Sequence, residues 1–429
     1  MSPTFRSLHN RNYRRYAAGG IVSNTGTWMQ RVAQDWLVLQ LTASGTALGI
    51  TTGLQFLPML LLGPFAGLVA DRMSKLRLLQ LTNLGMAAPA LVLGLLAVTG
   101  AAEAWHVYVL AFLLGTAAAF DNPARQSFVS EIVSADDLTN AVGLNSASFN
   151  VARLVGPAVA GLLIAALGGG AQATGWVILL NAVSYAAPVW ALRRMDASAL
   201  DSPAPSPRRP GALREGVAYV RGRPDLVLVL VVVFLAGTFG LNFQLTSALM
   251  ATEVFDKGAG EYGVLGSILA VGSLSGALLA ARRPTVRLRL VVVAAVVFGV
   301  VEVAAGLMPT YASFAAVLPL LGLASLTMIT AANTTMQLKT DPGMRGRVMA
   351  LYMTVFMGGT PLGSPVVGWV GETFGARWTL VLGGGVTALG VLVAAALHAR
   401  RTRVLTPVGA AGNLGPRVWD DQAVARARK

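Results

Sequence analysis

Long apolar stretches recur along the whole chain and alternate with short polar ones. Each stretch is close to the roughly 20 residues that a helix needs to cross the hydrocarbon core of a bilayer. The pattern therefore predicts an all-α integral membrane protein with twelve transmembrane helices. The predicted spans are 17–41, 47–70, 78–99, 105–123, 141–167, 175–193, 225–249, 262–281, 290–308, 311–332, 347–370 and 377–398.

The longest internal polar stretch divides these spans six and six. Its prolines favour an extended linker over a folded domain. Weak similarity between the halves, such as FDNPARQ (120–126) with AANTTMQ (331–337), supports the division. Two parallel six-helix halves are one way to build an alternating-access transporter. We predict an N-terminal arm (1–16), a first half (17–193), a cytoplasmic linker (194–224), a second half (225–398) and a basic tail (399–429).

The charge distribution fits a membrane protein better than a nucleic-acid-binding one. Of the 429 residues, 55% are hydrophobic and 12% are charged, whereas soluble domains carry roughly 25% charged residues. The net charge of +14 is concentrated in the arm, the linker, the tail and alternate loops, as the positive-inside rule requires of cytoplasmic segments. We therefore expect a multi-pass protein of the cell membrane, with both termini cytoplasmic and no nucleic-acid partner.

The chain lacks the residues that several kinds of metal site and an ATP-binding site would need. It contains no cysteine, which excludes thiolate metal sites and iron–sulfur clusters. Its three histidines lie at a terminus or at span ends, so they cannot form a metal site in the membrane core. A G-x-x-x-x-G-K-[ST] run that would bind ATP phosphates is absent. We expect a protein without cofactor or metal that is not an enzyme. Its transport would draw on an ion gradient or run downhill.

A short charged loop follows the second span. The run GLVADRMSKLR (67–77) matches the G-x-x-x-D-R-x-G-R/K pattern of the major facilitator superfamily, with Ser74 in place of the second glycine. The stretch VGPAVAG (155–161) resembles the G-P-x-x-G motif that occurs mainly in exporters of this family that run as antiporters, with Ala160 replacing one glycine. The resemblance covers about residues 10–398 and implies the major facilitator fold.

Two further segments resemble one bacterial branch of that family. They are SNTGTWMQRVAQDWLVLQLT in span one and FDNPARQSFVSEIV around the end of span four. Both are similar to segments of exporters of the enterobactin type and of the macrolide type. The resemblance thus implies an exporter of a siderophore or a drug.

The resemblance also implies an inner gate on the cytoplasmic side. Asp121 is expected to pair with Lys75, and Asp71 is expected to meet the N-terminal end of span eleven, whose partial positive charge favours a carboxylate. The alternative is that these charged groups are ordinary solvated loop residues. The predicted gate residues are Gly67, Asp71, Arg72, Lys75, Asp121, Arg125, Arg345 and Arg347.

Span one is the most polar of the predicted helices. Ionisable groups inside a span are costly and usually face a cavity or a partner. Burial favours a neutral Asp35, whereas Arg31, four residues earlier, favours the carboxylate and can pair with it. Asp35 is therefore the candidate proton-coupling group, and a permanent structural ion pair is the alternative. The candidate cavity residues of this helix are Asn24, Trp28, Arg31, Gln34 and Asp35.

Span five combines a cation with a predicted bend. Pro157 cannot donate a hydrogen bond to the carbonyl of Arg153, so the helix is expected to bend at Gly156, Pro157 and Gly161. Arg153 either lines the cavity or pairs structurally with a neighbouring acid or carbonyl group. The remaining candidate cavity residues are Asn150 in span five and Asn242 and Gln244 in span seven.

One acid of the second half, Glu302, lies in the outer half of span nine, an apolar span. In the family that the chain resembles, the helix that corresponds to span nine is usually peripheral. Glu302 is therefore expected to extend its carboxyl group outward or to pair with a local group. A role of Glu302 in transport is the less favoured interpretation.

These patterns favour a proton-coupled exporter of a small, partly apolar molecule that works by alternating access. Its partners would be the bilayer, protons and the substrate and, by resemblance, it would work as a monomer. Arg31 and Arg153 favour anions such as catecholate siderophores, whereas Asp35 and aromatic walls suit neutral or cationic antibiotics; both substrate types remain open. Proton-coupled uptake is the alternative, which the G-P motif disfavours. A non-transporting sensor would normally carry a soluble output domain, for which residues 399–429 are too short and polar.

Overall fold

Helices make up the regular secondary structure of the computed structural model, which describes residues 3–201, 212–281 and 287–405. Parts of the predicted linker and tail, residues 202–211 and 406–429, lie outside these ranges. The α-helices are α1 (Arg11–Thr42), α2 (Gly45–Arg72), α3 (Lys75–Thr99), α4 (Ala104–Ile132), α5 (Ala135–Ala166), α6 (Ala171–Ser184), α7 (Ala186–Arg193), α8 (Ala212–Arg221), α9 (Pro224–Leu235), α10 (Phe243–Leu249), α11 (Ala259–Ala281), α12 (Leu288–Gly306), α13 (Tyr311–Lys339), α14 (Arg345–Phe374) and α15 (Ala376–Leu405).

The predicted class, an α-helical membrane protein, is confirmed. Ten of the described helical segments are long and apolar enough to cross a bilayer. The two other predicted spans, 17–41 and 347–370, lie within α1 and α14. The count of twelve spans therefore stays a prediction, while the fold agrees with it.

Local capping explains where several of the long helices begin. The side chain of Asn10 accepts hydrogen bonds from the backbone N–H groups of Asn12 and Tyr13, at 2.9 and 3.1 Å. This cap satisfies donors that the first turn of a helix leaves free, so α1 begins at Arg11, ahead of the predicted span. Ser44 caps α2 in the same way by accepting from the N–H of Ala47 at 3.1 Å.

The seventh predicted span is not one regular α-helix. It consists of α9, a π-helical segment (Ala236–Gly240), α10 and a second π-helical segment (Met250–Val254). The N–H of Leu241 donates to the carbonyl of Ala236 at 2.8 Å, which is the wider hydrogen-bond step of a π-helix. The span also continues past its predicted end at residue 249. Single π-helical turns are rare and occur frequently at functional sites.

The chain forms two compact units. Unit 1 comprises Met1–Arg208, Phe243–Ala270 and Pro361–Ala376, and unit 2 comprises Arg209–Asn242, Val271–Thr360 and Arg377–Lys429. Within unit 1, α1 packs against α5 and α6, α2 packs against α4, and α3 packs against α4 and α6. Within unit 2, α12 packs against α9 and α13. Unit 1 thus combines the first six predicted spans with two stretches from the second half of the chain.

Candidate functional site

The buried acid of span one is bound by a tyrosine of α11. Tyr262 Oη donates a hydrogen bond to Asp35 Oδ2 at 2.8 Å, and the two residues are only 2% and 6% exposed. The Tyr262 ring stacks on Trp36, with ring centroids 6.3 Å apart, and the Trp36 indole donates to the carbonyl of Gly169 at 2.8 Å. The alternative of a permanent ion pair between Asp35 and Arg31 is not seen, because among the described residues no ion pair joins them. The role of Asp35 in proton coupling stays a prediction.

Tight packing between α11 and α5 holds Tyr262 in place. A methyl group on Gly263 would lie 2.3 Å from the carbonyl oxygen of Pro157, and one on Gly161 would lie 2.4 Å from that of Ala259. The absence of side chains at both glycines thus permits the close approach of the two helices. Ser267 adds a hydrogen bond to the carbonyl of Leu154. The first half of α11 is therefore fastened to both α1 and α5.

The predicted bend motif of span five lies in these contacts. α5 is one continuous helix through Pro157, and Gly156 packs against α1, where a methyl group would lie 2.6 Å from Trp28 Cβ. Gly156, Pro157 and Gly161 thus all contribute to close helix contacts within unit 1. A bend at these residues stays a prediction.

Two arginines converge on one aromatic ring. The guanidinium carbon of Arg31 lies 4.7 Å from the centroid of Trp28, and that of Arg153 lies 5.6 Å from the same centroid. Arg31 also lies 5.4 Å from the ring of Phe56, and Phe149 packs edge-on against Trp28 at 5.8 Å. Such contacts compensate cations only in part. The sequence predicted Trp28, Arg31 and Arg153 as cavity residues, and the structure brings all three together.

These two guanidinium groups are not neutralised. Among the described residues, neither forms an ion pair with a carboxylate, and Arg31 Nε is buried without a hydrogen-bond partner. Asp35 accepts a hydrogen bond from Tyr262 instead, so two cations and no ion-paired carboxylate lie around the Trp28 ring. The arrangement provides donors for an anionic group beside flat apolar surfaces, the combination that specific small-molecule sites use.

The contacts of the other predicted cavity residues say less about the site. Asn24 and Gln244 are half-buried, and Gln34 is buried. Asn150 donates to the carbonyl of Ser146 in its own helix at 2.8 Å, and Asn242 donates to that of Thr238 at 2.9 Å in unit 2. In residues 3–201, 212–281 and 287–405, no group of His, Asp and Glu side chains is placed to hold a metal ion.

The predicted pairing of Lys75 with Asp121 is wrong in this structure. Lys75 forms its ion pair with Glu131, whose side chain is 3% exposed. The oxygens of Asp121 are occupied by other donors: Arg125 Nε at 2.7 Å, Thr82 Oγ1 at 2.7 Å and Asn83 Nδ2 at 3.4 Å. Glu131 stood in the run SFVSEIV, but its sequence position did not reveal which acid would reach Lys75.

The remaining predicted gate residues divide between the two units. In unit 1, Asp71 and Arg72 are exposed at the end of α2, and a methyl group on Gly67 would meet open space, so this glycine makes no close helix contact. In unit 2, Arg345 Nε donates to the carbonyl of Gln337 at 3.1 Å, and Arg347 pairs with Glu215 of α8 at 2.7 Å. A contact of Asp71 with the start of α14 stays a prediction.

A glutamate that the sequence analysis left out joins α14 to α2. Ser44 Oγ and the N–H of Thr46 donate to Glu372 Oε2 at 2.6 and 2.9 Å. These hydrogen bonds lower the pKa of Glu372 below its ordinary value. Gly49 lies below this cap, and a methyl group there would be 2.2 Å from the carbonyl oxygen of Ser364. The four-residue spacing of Gly45 and Gly49 was the available signal.

The expectation for Glu302 was wrong. Its carboxyl group does not extend outward, because the residue is 0% exposed. It does not pair locally either, since both carboxyl oxygens are buried without a hydrogen-bond partner among the described residues. The sequence showed an acid in an apolar span, but the packing around it depends on helices that are distant along the chain.

Comparisons with known proteins relate the chain to transporters. The family profile described as "Transmembrane secretion effector" matches residues 2–427. The multidrug efflux pump Tap of Mycolicibacterium fortuitum is 27% identical over 369 residues, which are 84% of this chain and 89% of that pump. The staphyloferrin A transporter of Staphylococcus aureus is 31% identical over 141 residues, so the alignment covers 33% of this chain and 36% of that transporter.

A solved structure supports the same fold. A variant of the nucleoside transporter NupG superposes with a TM-score of 0.71, covering 90% of this chain and 99% of that one at 10% sequence identity. At so low an identity the likeness concerns the fold alone.

Proposed function

Because the chain belongs to the transmembrane secretion effector family of the major facilitator superfamily, and is thus a membrane transporter, we propose that it exports a small, partly apolar molecule by proton antiport through alternating access. The observation that carries the proposal is the hydrogen bond from Tyr262 to Asp35. An ionisable group inside a span is costly and is usually retained for a pathway or a proton relay. The family description and the efflux-pump relative support export over uptake.

Proton binding at Asp35 has a direct structural consequence in this proposal. When Asp35 is ionised, the bond from Tyr262 is charge-assisted and about twice as strong as a neutral hydrogen bond. Protonation removes that charge and weakens the attachment of α11 to α1. The glycine contacts with α5 then remain as the principal hold on α11. Proton binding thus biases whether this helix stays packed in unit 1, which is the differential effect that a coupled carrier requires.

The proposed substrate carries an anionic group on a flat, apolar body. Arg31 and Arg153 supply two positive charges without an ion-pair partner around Trp28, with Phe56 and Phe149 as apolar walls. Asp35 forms no ion pair with either arginine among the described residues and accepts a hydrogen bond from Tyr262. This charge balance favours an acidic metabolite or a siderophore-like chelator over a cationic drug.

Efflux from loaded proteoliposomes tests the coupling. A labelled panel of anionic chelators, neutral macrolides and cationic dyes is exported with and without a protonophore. We expect protonophore-sensitive export, and we expect Asp35→Asn to lose gradient-driven export while substrate exchange remains. Glu261→Gln, which neutralises an exposed acid next to Tyr262, is the matched control. Protonophore-insensitive export, or full gradient-driven export by Asp35→Asn, would overturn the antiport proposal.

The same panel tests the substrate class separately. Arg153→Gln and Arg31→Gln should each weaken the apparent affinity for an exported anion by about tenfold, which corresponds to ~1.4 kcal/mol. Arg194→Gln is the matched control, since Arg194 rests on the exposed Trp190 at 5.2 Å. Export restricted to cationic dyes, or unchanged affinity in both variants, would contradict an anionic substrate and leave the coupling result intact.

A further inference from the structure

Glu302 is enclosed by glycines of two other helical segments. A methyl group on Gly240, the last residue of the first π-helical segment, would lie 3.0 Å from Oε2. One on Gly383 of α15 would lie 3.3 Å from Oε1 and 2.6 Å from the carbonyl oxygen of Phe239. One on Gly384 would lie 2.9 Å from Glu302 Cβ. Because these three glycines have no side chains, the carboxyl group fits between them. Their close packing encloses it.

The surroundings of Glu302 suit a neutral acid. A buried carboxylate without a partner loses its hydration and gains nothing in return, which is among the most expensive arrangements in a protein. Both carboxyl oxygens of Glu302 are buried without a hydrogen-bond partner among the described residues. A protonated carboxyl carries no net charge and fits the same enclosure at far lower cost.

The ionisable groups on the helices around Glu302 do not compensate a negative charge. At the same end of these helices lie Tyr311 and Arg377, and the Arg377 guanidinium donates to the carbonyls of Gly306 and Met308 at 3.0 and 2.6 Å. Neither forms a hydrogen bond with a carboxyl oxygen of Glu302 among the described residues. Asp225, Arg289, Lys339 and His398 lie near the opposite ends of α9, α12, α13 and α15.

The element that covers Glu302 is the irregular part of span seven. Gly240 ends a π-helical segment, and residues 241 and 242 lie outside any helix before α10 begins. A π-helical turn differs from the α-helix by one hydrogen-bond step, and such turns occur frequently at functional sites. A displacement of this segment would open the Oε2 side of the enclosure to water.

We propose that Glu302 is a proton-binding site, distinct from Asp35, that is sealed while Ala236–Gly240 packs on it and releases its proton when that segment moves. On release, the carboxyl O–H bond breaks, the proton passes to water and Glu302 becomes a carboxylate; no electron is transferred. This site goes beyond the proposed function, because Asp35 can couple transport whether or not Glu302 exchanges a proton. It makes the irregular segment of span seven a second proton-sensitive element.

Infrared difference spectroscopy on the purified, reconstituted protein tests this site with the proton itself as the probe. The carbonyl stretch of a protonated carboxyl is measured from mildly acidic to alkaline pH in the Asp35→Asn background. This background removes the other buried acid that forms no ion pair among the described residues, since Asp121 and Glu131 are paired with Arg125 and Lys75. We expect a carboxyl band that disappears in Asp35→Asn/Glu302→Gln and that is lost reversibly as the pH rises. Glu253→Gln, at an exposed acid of the same span, should retain the band.

Two outcomes would overturn the proposal. The first is the absence of a Glu302-dependent band at every pH, which means that the group is ionised. The second is a band that never changes up to alkaline pH and does not shift in heavy water, which means that the proton is permanent. If Glu302→Gln does not fold, Glu302→Asp serves instead, because a shifted carboxyl band assigns the signal equally well. Failure here leaves the Asp35 experiment unaffected.

Discussion

Asp35 in unit 1 and Glu302 in unit 2 are both buried carboxyl groups within long helices, but their surroundings differ. Asp35 receives a hydrogen bond from Tyr262, whereas the oxygens of Glu302 have no donor among the described residues and are enclosed by glycines. A donor stabilises a carboxylate, and an apolar enclosure stabilises a neutral acid. Burial alone therefore does not define the charge of a membrane-embedded acid; the groups packed against it do.

Among the variants that test this comparison, Asp35→Asn is expected to have the largest effect, and the effect is on transport. Replacing the carboxyl by an amide removes the group that can change charge while it keeps the shape. We expect all gradient-driven efflux to be lost, measured as the difference between efflux with and without a pH gradient. Glu302→Gln in the same assay should retain a measurable part of that efflux, because Asp35 remains. Equal loss in both variants would contradict the distinction between the two acids.

The next effect concerns the enclosure of Glu302. Gly383→Ala places a methyl group 2.6 Å from the backbone oxygen of Phe239 and 3.3 Å from Glu302 Oε1. Overpacking of this kind costs about 1–3 kcal/mol, and the value should be near the upper end because a backbone atom cannot easily move. Thermal unfolding in detergent measures it. Gly385→Ala, two residues further along and facing open space, should change stability by less than about 0.5 kcal/mol.

A smaller effect is expected from removing the donor to Asp35. Tyr262→Phe keeps the stacking on Trp36 and deletes only the hydroxyl group, so Asp35 loses its partner. Leaving a buried acceptor unsatisfied costs roughly 1–2 kcal/mol of unfolding free energy. In an Asp35→Asn background the same substitution should cost less, since a neutral amide gains less from the donor. Identical costs in both backgrounds would show that the hydroxyl acts elsewhere.

The smallest effect concerns an exposed acid, Glu372, which provides the contrast to both buried ones. Hydrogen bonds from Ser44 and Thr46 lower its pKa below the usual 4.5. Its contribution to stability is therefore present above the usual value and is lost as the pH falls through the lower folded-state pKa. Glu372→Gln should lower the melting temperature slightly at neutral pH and have no effect in strong acid.

Much of the candidate site could be predicted from the sequence, but its pairings could not. Spacing along one helix placed Trp28, Arg31 and Asp35 on one side. The cost of charges in a membrane marked Arg31, Asp35 and Arg153 as candidates. The partner of Asp35 is Tyr262, which lies 227 residues further along. An isolated tyrosine in an apolar span has no local signal that distinguishes a donor from a packing residue.

The glycine pattern illustrates the same limit. Gly67 and Gly272 both belong to G-x-x-x-G pairs in the sequence. A methyl group on Gly272 would lie 1.9 Å from the carbonyl oxygen of Pro319, whereas one on Gly67 would meet open space. The motif states that two helices can approach closely. Whether they do depends on which helix lies opposite, and the motif carries no information on that.

By itself, the sequence determined the membrane class, the approximate helical spans, the family resemblance and the small set of costly charges, because these depend on local composition and helical spacing. Only the tertiary structure decided which donors and walls each charge meets. It assigned Tyr262 to Asp35, Glu131 to Lys75 and a glycine enclosure to Glu302. The physical reason is that burial and pairing are properties of contacts between distant segments, and a charge takes its state from those contacts.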